Sequence, residues 1–164
     1  MKQSAHQGLI HQGLKLLLCF SGLTMTLDAA KAASVQDLLQ TLKRHGFTVV
    51  QAHPRNRKAY GQFIPDQKQL IISPLTHQLG IARHVLLHEA VHAAQSCPNG
   101  TLRPLNLNRS TSPVVESRIR YLLNNHYDSR QQILEQEAFR LQSQPDAEAL
   151  IIEALNDRCQ VPGG

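Results

Sequence analysis

The sequence predicts a small α+β domain in which one helix comes first, three short strands follow and four helices come last. Apolar residues recur at helical spacing from about residue 35 and again from about residue 79. Between these segments, residues 47–73 are rich in β-branched and aromatic side chains and contain a Pro-Asp turn. Since 41% of the residues are hydrophobic and 18% are charged, the chain can bury a core, which excludes a disordered protein.

The first 32 residues have the pattern of a secretory signal peptide. Two lysines make the start basic, residues 16–27 form an apolar stretch, and the small residues Ala30 and Ala32 precede the expected cleavage point. We therefore expect an exported protein, secreted or periplasmic, whose mature domain spans residues 33–164. Removal of the signal peptide lowers the formal net charge from +5 to +3.

Two cysteines, Cys97 and Cys159, remain in the predicted mature domain, because Cys19 leaves with the signal peptide. An even pair of cysteines in an exported protein predicts a disulfide. The alternative is a pair of free buried thiols, which we would expect in a protein that is not exported.

Composition also excludes several classes of protein. No apolar run reaches 18 residues, so the mature chain should not span a membrane. Aromatic residues are scarce, with four Phe, three Tyr and no Trp, which disfavours a base-stacking surface for nucleic acid. The basic residues are scattered over many segments, so a polyanion-binding protein is not expected either.

The first half of the mature domain is predicted to form the first helix and the strands. Ser34 can cap the helix, with Asp37 three residues further on in a capping-box pattern. Residues 47–52 favour a strand. Residues 60–64 and 69–73 flank a polar turn and predict a hairpin.

The second half is predicted to be helical. Residues 79–96 combine helical periodicity with an almost continuous apolar sequence, which predicts a buried helix. Ser112 is placed to open the next helix, and Asp128 with Gln131 to cap the one after it. Asp146 is expected to cap the last helix.

The segment His-Glu-Ala-Val-His carries the strongest chemical signal. His88 and His92 are four residues apart, so on a helix they lie one above the other, about 6 Å apart along the axis. Two imidazoles in this arrangement can bind one zinc ion. Glu89 lies beside them and can act as a general base toward a water molecule. The segment therefore predicts a Zn²⁺ site with two ligands and a base.

This segment resembles the zincin metallopeptidases, and among them the gluzincins, whose third zinc ligand is a Glu on a later helix. The order of Gln95, Tyr127 and a Glu-Gln-Glu-Ala run from Glu135 is similar to that of small zincins. The resemblance covers roughly residues 60–142 and implies a minimal zincin-like fold with Glu135 as third ligand. Phe139 stands where larger families often have Asp or Asn, so it cannot provide a hydrogen bond to a ligand histidine.

Two assignments remain open from the residues themselves. Helical periodicity places Glu137 nearer the middle of the apolar face than Glu135, whereas the family motif favours Glu135 as the ligand. His84 is one turn before His88 and is either a spare ligand or an ordinary packed or surface histidine.

A hydroxyl or imidazole is also needed to stabilise the oxyanion formed during hydrolysis. By resemblance we assign this catalytic role to Tyr127, with Tyr121 and His126 as the other candidates.

The resulting expectation is an exported zinc-dependent hydrolase, a metallopeptidase that acts on a peptide or protein substrate. His88, His92 and Glu135 would hold the metal, and Glu89 would be the general base. The alternative is a non-catalytic zinc-binding module that recognises a partner through a zincin scaffold.

Overall fold

Six helices and one three-stranded sheet make up residues 32–160, the part of the chain that the computed structural model describes. This confirms the predicted α+β class and the predicted order of elements. Nearly all of the predicted signal peptide lies outside the described residues. The helices are α1 (Val35–Arg44), α2 (Leu75–Gln78), α3 (Ala82–Gln95), α4 (Pro113–His126), α5 (Gln132–Gln142) and α6 (Ala147–Arg158), and the strands are β1 (Thr48–Gln51), β2 (Gly61–Ile64) and β3 (Gln69–Ile72).

The sheet has the strand order β1-β3-β2, so β3 is central and β2 is an edge strand. Strand β1 runs parallel to β3, with Thr48 opposite Gln69. Strand β2 runs antiparallel to β3 and forms the predicted hairpin with it, with Gly61 opposite Ile72. The hairpin turns through a short 3-10 helix at Pro65–Gln67. Helix α3 packs against both β2 and β3, so the hairpin lies beside the helix that carries the His-Glu-Ala-Val-His segment.

Helix α3 is the centre of the core. All residues from 86 to 95 are buried, and the helix packs against α5, α6 and the sheet. Leu87 and Val91 are fully enclosed, and α1 and α6 add Leu42 and Ile151 to the same apolar cluster. Because α3 is covered on several sides, its polar residues are inside the protein and need partners there.

Helix α3 begins three residues later than predicted. The apolar pattern predicts a start at Leu79, but the chain first forms the single-turn helix α2 and then passes through Gly80. Gly80 has a φ of 68°, a left-handed conformation that ends a helix and that glycine adopts at no steric cost. Because of this break, α2 is separate from α3, and five helical segments follow the sheet instead of the predicted four.

The predicted helix caps have different outcomes. Ser34 and Asp37 form a capping box, and the Ser112 hydroxyl accepts a hydrogen bond from the amide of Val115. Asp128 accepts hydrogen bonds in the turn that precedes α5, which itself starts at Gln132. The prediction for Asp146 was wrong in part, since it occupies the N-cap position of α6 but its side chain makes no capping hydrogen bond. Its φ of −105° and ψ of 26° differ from the extended conformation that directs a capping side chain back to the helix.

Cys97 and Cys159 form a disulfide that joins the chain beyond the end of α3 to the end of α6, across a sequence separation of 62 residues. Among residues 32–160, no helix is long and apolar enough to cross a membrane.

Candidate metal centre

Three potential metal ligands converge between α3 and α5. The Nε2 atoms of His88 and His92 lie 3.1 Å apart. Glu135 on α5 places Oε2 3.0 Å from His88 Nε2 and Oε1 3.5 Å from His92 Nε2. Within the described residues these three side chains form a group whose ligand atoms all lie within 4.8 Å of one another.

The spacing of these atoms fits the geometry of a zinc site. In a tetrahedral site with ligands about 2.0 to 2.1 Å from the ion, neighbouring ligand atoms lie about 3.3 Å apart. The three observed distances, 3.0, 3.1 and 3.5 Å, bracket that value. Two imidazole nitrogens and a carboxylate oxygen are also a ligand set that zinc accepts. The donor set and its spacing therefore suit Zn²⁺.

Each histidine ring contacts one glutamine through its Nδ1 atom, on the side of the ring away from Nε2. The Nδ1 atom of His92 lies 2.8 Å from Oε1 of Gln95, and the Nδ1 atom of His88 lies 3.0 Å from Oε1 of Gln142. Hydrogen bonds of this kind orient a ligand ring and leave Nε2 for the metal. Phe139 packs on the His88 ring at a centroid distance of 4.6 Å. Gln142 thus provides the hydrogen bond to His88 that the Phe139 side chain cannot provide.

The structure separates the two candidate glutamates on α5. Glu135 faces the histidines, whereas Glu137 faces the chain segment between α3 and α4. The carboxylate of Glu137 accepts hydrogen bonds from the backbone amides of Leu105 and Leu107 and from Nε2 of Gln95. Glu137 is therefore a half-buried structural acceptor, and the three-ligand group does not include it.

Glu89 is buried between α3 and β2, next to the two histidines. Burial raises the pKa of Glu89, and the charges of His88 and His92 only partly offset this effect. Strand β2 passes so close to α3 here that a Cβ atom on Gly61 would overlap both Glu89 and Val85. Only glycine leaves room for the carboxylate at this point of the strand.

The charges of the group depend on one another. Burial alone would raise the pKa of Glu135, but hydrogen bonds with His88 and His92 outweigh it and lower the pKa to about 2. Burial lowers the pKa of His92, and the hydrogen bond and charge of Glu135 reverse this and raise it. The centre is therefore built around an ionised carboxylate between two imidazoles.

Tyr127 lies at the edge of the centre, where α4 ends. It is half-buried, and its ring meets that of Phe139 edge to face at 6.1 Å. Burial raises the pKa of its hydroxyl, with further contributions from the charges of Glu135 and Glu89 and from a hydrogen bond with Glu135. The neutral hydroxyl is thus available as a hydrogen-bond donor beside the ligands.

Three other candidate residues are not brought into the centre. His84 is exposed on α3 and is not a member of the three-ligand group. Tyr121 and His126 are exposed on α4. Of the candidate oxyanion stabilisers, the structure therefore places Tyr127 alone beside Glu135.

Sequence reasoning missed Gln142 and Gly61. A signal for Gln142 was present, because Gln142 follows Glu135 by seven residues and Phe139 follows it by four, which puts all three on one face of α5. No local signal marked Gly61, whose importance depends on the contact between two elements that are distant in sequence.

A family model described as a domain of unknown function (DUF8637) matches residues 29–159, which include the whole of the candidate metal centre. No curated protein and no solved structure matches the chain.

Proposed function

The chain belongs to the DUF8637 family, a domain family of unknown function, and we propose from its own residues that it is an exported zinc-dependent hydrolase, a metallopeptidase of the zincin type. The observation that carries the proposal is the convergence of His88, His92 and Glu135 beside the buried carboxylate of Glu89. Zinc held by the three ligands would act as a Lewis acid and lower the pKa of a water molecule toward 7.

The residues around the ligands have the chemistry that hydrolysis requires. Glu89 would accept a proton from the attacking water and then transfer it to the leaving amine. The buried position of Glu89 beside the two histidines would put its carboxylate within reach of a water molecule at the metal site. Tyr127 would donate a hydrogen bond to the oxyanion that develops on the attacked carbonyl.

The number of protein ligands favours catalysis over a purely structural zinc site. Structural zinc sites are usually closed by four protein ligands, whereas catalytic sites leave one position for water or substrate. The group found among residues 32–160 contains three His or Glu side chains and no fourth ligand. A buried carboxylate next to the ligands, as at Glu89, also has no purpose in a closed structural site.

An edge strand beside the centre supports a peptide as substrate. Strand β2 lies at the edge of the sheet, and Gly61 brings it against Glu89. An edge strand leaves half of its backbone N–H and C=O groups unpaired by the sheet, and an extended peptide can pair with these groups. A peptide added at this edge would lie next to the general base.

Export is supported by the disulfide and by the signal-like start of the chain. Disulfides persist in oxidising compartments such as the periplasm or the extracellular space. Expression of the full chain with determination of the mature N-terminus tests this part of the proposal. We expect a start near Ala33, and an intact N-terminus on protein retained in the cytoplasm would contradict it.

A matched pair of variants tests the hydrolase. Glu89→Gln should keep about one zinc ion per chain and lose hydrolysis of a broad peptide library, whereas His88→Ala should lose the metal. Zinc is measured by elemental mass spectrometry and hydrolysis by mass spectrometry of the library. If wild type and Glu89→Gln bind zinc equally and neither cleaves any peptide, the non-catalytic partner-binding module becomes the better description.

The third ligand is tested in the same way. Glu135→Gln should lose zinc because it removes the ligand carboxylate, and Glu137→Gln should retain most of it because that carboxylate lies outside the ligand group. The reverse result would assign the third ligand to Glu137.

A further inference from the structure

The pair Gln95 and Glu137 lies behind His92, on the side away from the other ligands. We propose that these two are positioning residues that hold the His92 ring in the tautomer that a metal ligand must have, with the proton on Nδ1 and the lone pair on Nε2. The inference rests on the proposed zinc site for its purpose, but the contacts that carry it do not depend on a metal.

Two hydrogen bonds fix the orientation of the Gln95 side-chain amide. Its Nε2 atom lies 2.8 Å from Oε2 of Glu137 and 3.1 Å from the backbone oxygen of Leu134. A carboxylate and a backbone carbonyl only accept hydrogen bonds, so both require the NH₂ group of the amide on this side. If the amide were flipped, its oxygen would face two acceptor oxygens inside the core, where Gln95 is fully buried.

The orientation of Gln95 determines the tautomer of His92. Since the NH₂ group faces Glu137, Oε1 of Gln95 faces Nδ1 of His92, at 2.8 Å. An amide oxygen only accepts, so Nδ1 must carry the hydrogen. In the neutral ring the lone pair is then on Nε2, which points toward His88 and Glu135.

Two backbone amides hold the Glu137 carboxylate in position. The backbone amides of Leu105 and Leu107 donate to its two oxygens at 2.7 and 3.2 Å. These residues lie in the irregular segment between α3 and α4, and their side chains pack on the core. The carboxylate that orients Gln95 is therefore positioned both by α5, which carries Glu137, and by the segment between α3 and α4, which binds its oxygens.

His88 offers an internal comparison. Its Nδ1 atom is paired with Gln142, which is half-buried, and not with Gln95. Changes at Gln95 or Glu137 should therefore alter the His92 ring and leave the tautomer of His88 as it is.

Nuclear magnetic resonance of the histidine rings tests the inference directly. Long-range ¹H–¹⁵N spectra of the metal-free wild-type protein, recorded at alkaline pH where the rings are neutral, should show His92 with its proton on Nδ1. A wild-type His92 ring with its proton on Nε2, or an even mixture of both forms, overturns the inference. This measurement needs neither zinc nor activity, so it remains decisive even if the proposed zinc site fails.

Variants then test the consequence for the metal. Gln95→Leu should weaken zinc binding about 10- to 100-fold in competition with a chelator, because His92 loses the acceptor that orients it. Glu137→Ala removes one of the two acceptors that orient the Gln95 amide and should weaken zinc binding less than Gln95→Leu, because the backbone oxygen of Leu134 still accepts from the amide. Glu153→Gln removes an exposed carboxylate from α6 and serves as the control, with no effect on either measurement. Zinc affinity within threefold of wild type in folded Gln95→Leu would refute the positioning role.

The substitution Gln95→Glu separates positioning from simple loss of packing, because it keeps the size of the side chain. One oxygen of the new carboxylate would face Oε2 of Glu137 and the backbone oxygen of Leu134, so the variant should weaken zinc binding. Zinc affinity within threefold of wild type in folded Gln95→Glu would contradict the inference.

Discussion

Gly61 on β2 lies against the candidate base, and Gly61→Ala should disable Glu89 while leaving the three candidate ligands in place. A Cβ atom at this position would lie 2.6 Å from Cγ1 of Val85 and 2.9 Å from Cγ of Glu89, with the Glu89 carboxylate closer still. Ordinary van der Waals contact begins at 3.4 Å, so the carboxylate must move by about 1 Å. The atoms nearest to the added methyl group belong to Glu89 and Val85, and none belongs to a ligand.

The expected effects follow from this displacement. A catalytic group misplaced by about 1 Å can cost about 100-fold in rate, which corresponds to about 2.7 kcal/mol in the barrier. Overpacking of a core contact costs about 1 to 3 kcal/mol of unfolding free energy. For a domain of this size, that loss lowers the melting temperature by about 3 to 10 °C. Zinc content should remain that of wild type.

The assay compares wild type, Gly61→Ala, Val85→Ala and the double variant in zinc content, melting temperature and kcat on the best peptide substrate. Val85→Ala removes the methyl group that the new Cβ would meet but leaves the overlap with Glu89. The double variant should therefore recover part of the stability and none of the kcat. Retention of more than half of the wild-type kcat in zinc-loaded Gly61→Ala would refute the reasoning, as would full recovery of kcat in the double variant.

Three further predictions concern stability and the oxyanion. Replacement of both Cys97 and Cys159 by Ser should cost up to about 4 kcal/mol in urea unfolding, since the disulfide closes a loop across 62 residues; an unchanged unfolding midpoint would contradict this. Glu148→Gln should cost about 1 to 2 kcal/mol at pH 7, because Arg83 donates two hydrogen bonds of 2.7 Å to the carboxylate of Glu148. Burial alone would raise the pKa of Glu148, but these bonds lower it. The stabilisation is therefore present at neutral pH and is lost as the pH falls below about 4.5. The difference in stability between variant and wild type should shrink there, and a constant difference from pH 7 to pH 3 would be inconsistent with the ion pair. Tyr127→Phe should lower kcat about 100-fold with zinc content unchanged, and an unaltered kcat would remove Tyr127 from the mechanism.

Local patterns predicted most of the secondary structure. The capping box at Ser34 and Asp37 and the hairpin around residues 65–68 depend on residues within a few positions of one another. Such features form from nearby side chains and backbone groups, so the sequence is enough to predict them. The boundary of α3 was less predictable, because apolar periodicity continued through the Gly80 break.

Burial patterns were predictable only where a whole helix is enclosed. The almost continuous apolar sequence of α3 predicted that its polar residues lie inside, and residues 86–95 are indeed buried. On α5 the periodicity pointed to Glu137 as the more central carboxylate. That residue is turned toward the core, as predicted from its position, but its partners are Gln95 and the backbone of residues 105–107.

The sequence by itself determined the pairing of His88 with His92 and the place of Glu89 beside them. This was possible because the pitch of one helix brings residues four apart onto the same face. Only the tertiary structure decided that Glu135 joins the histidines, that Gln95 and Gln142 hold their rings, and that Gly61 makes room for Glu89. These contacts depend on how α5 and β2 pack against α3, and helix packing and strand pairing are properties of the whole core that no local pattern specifies.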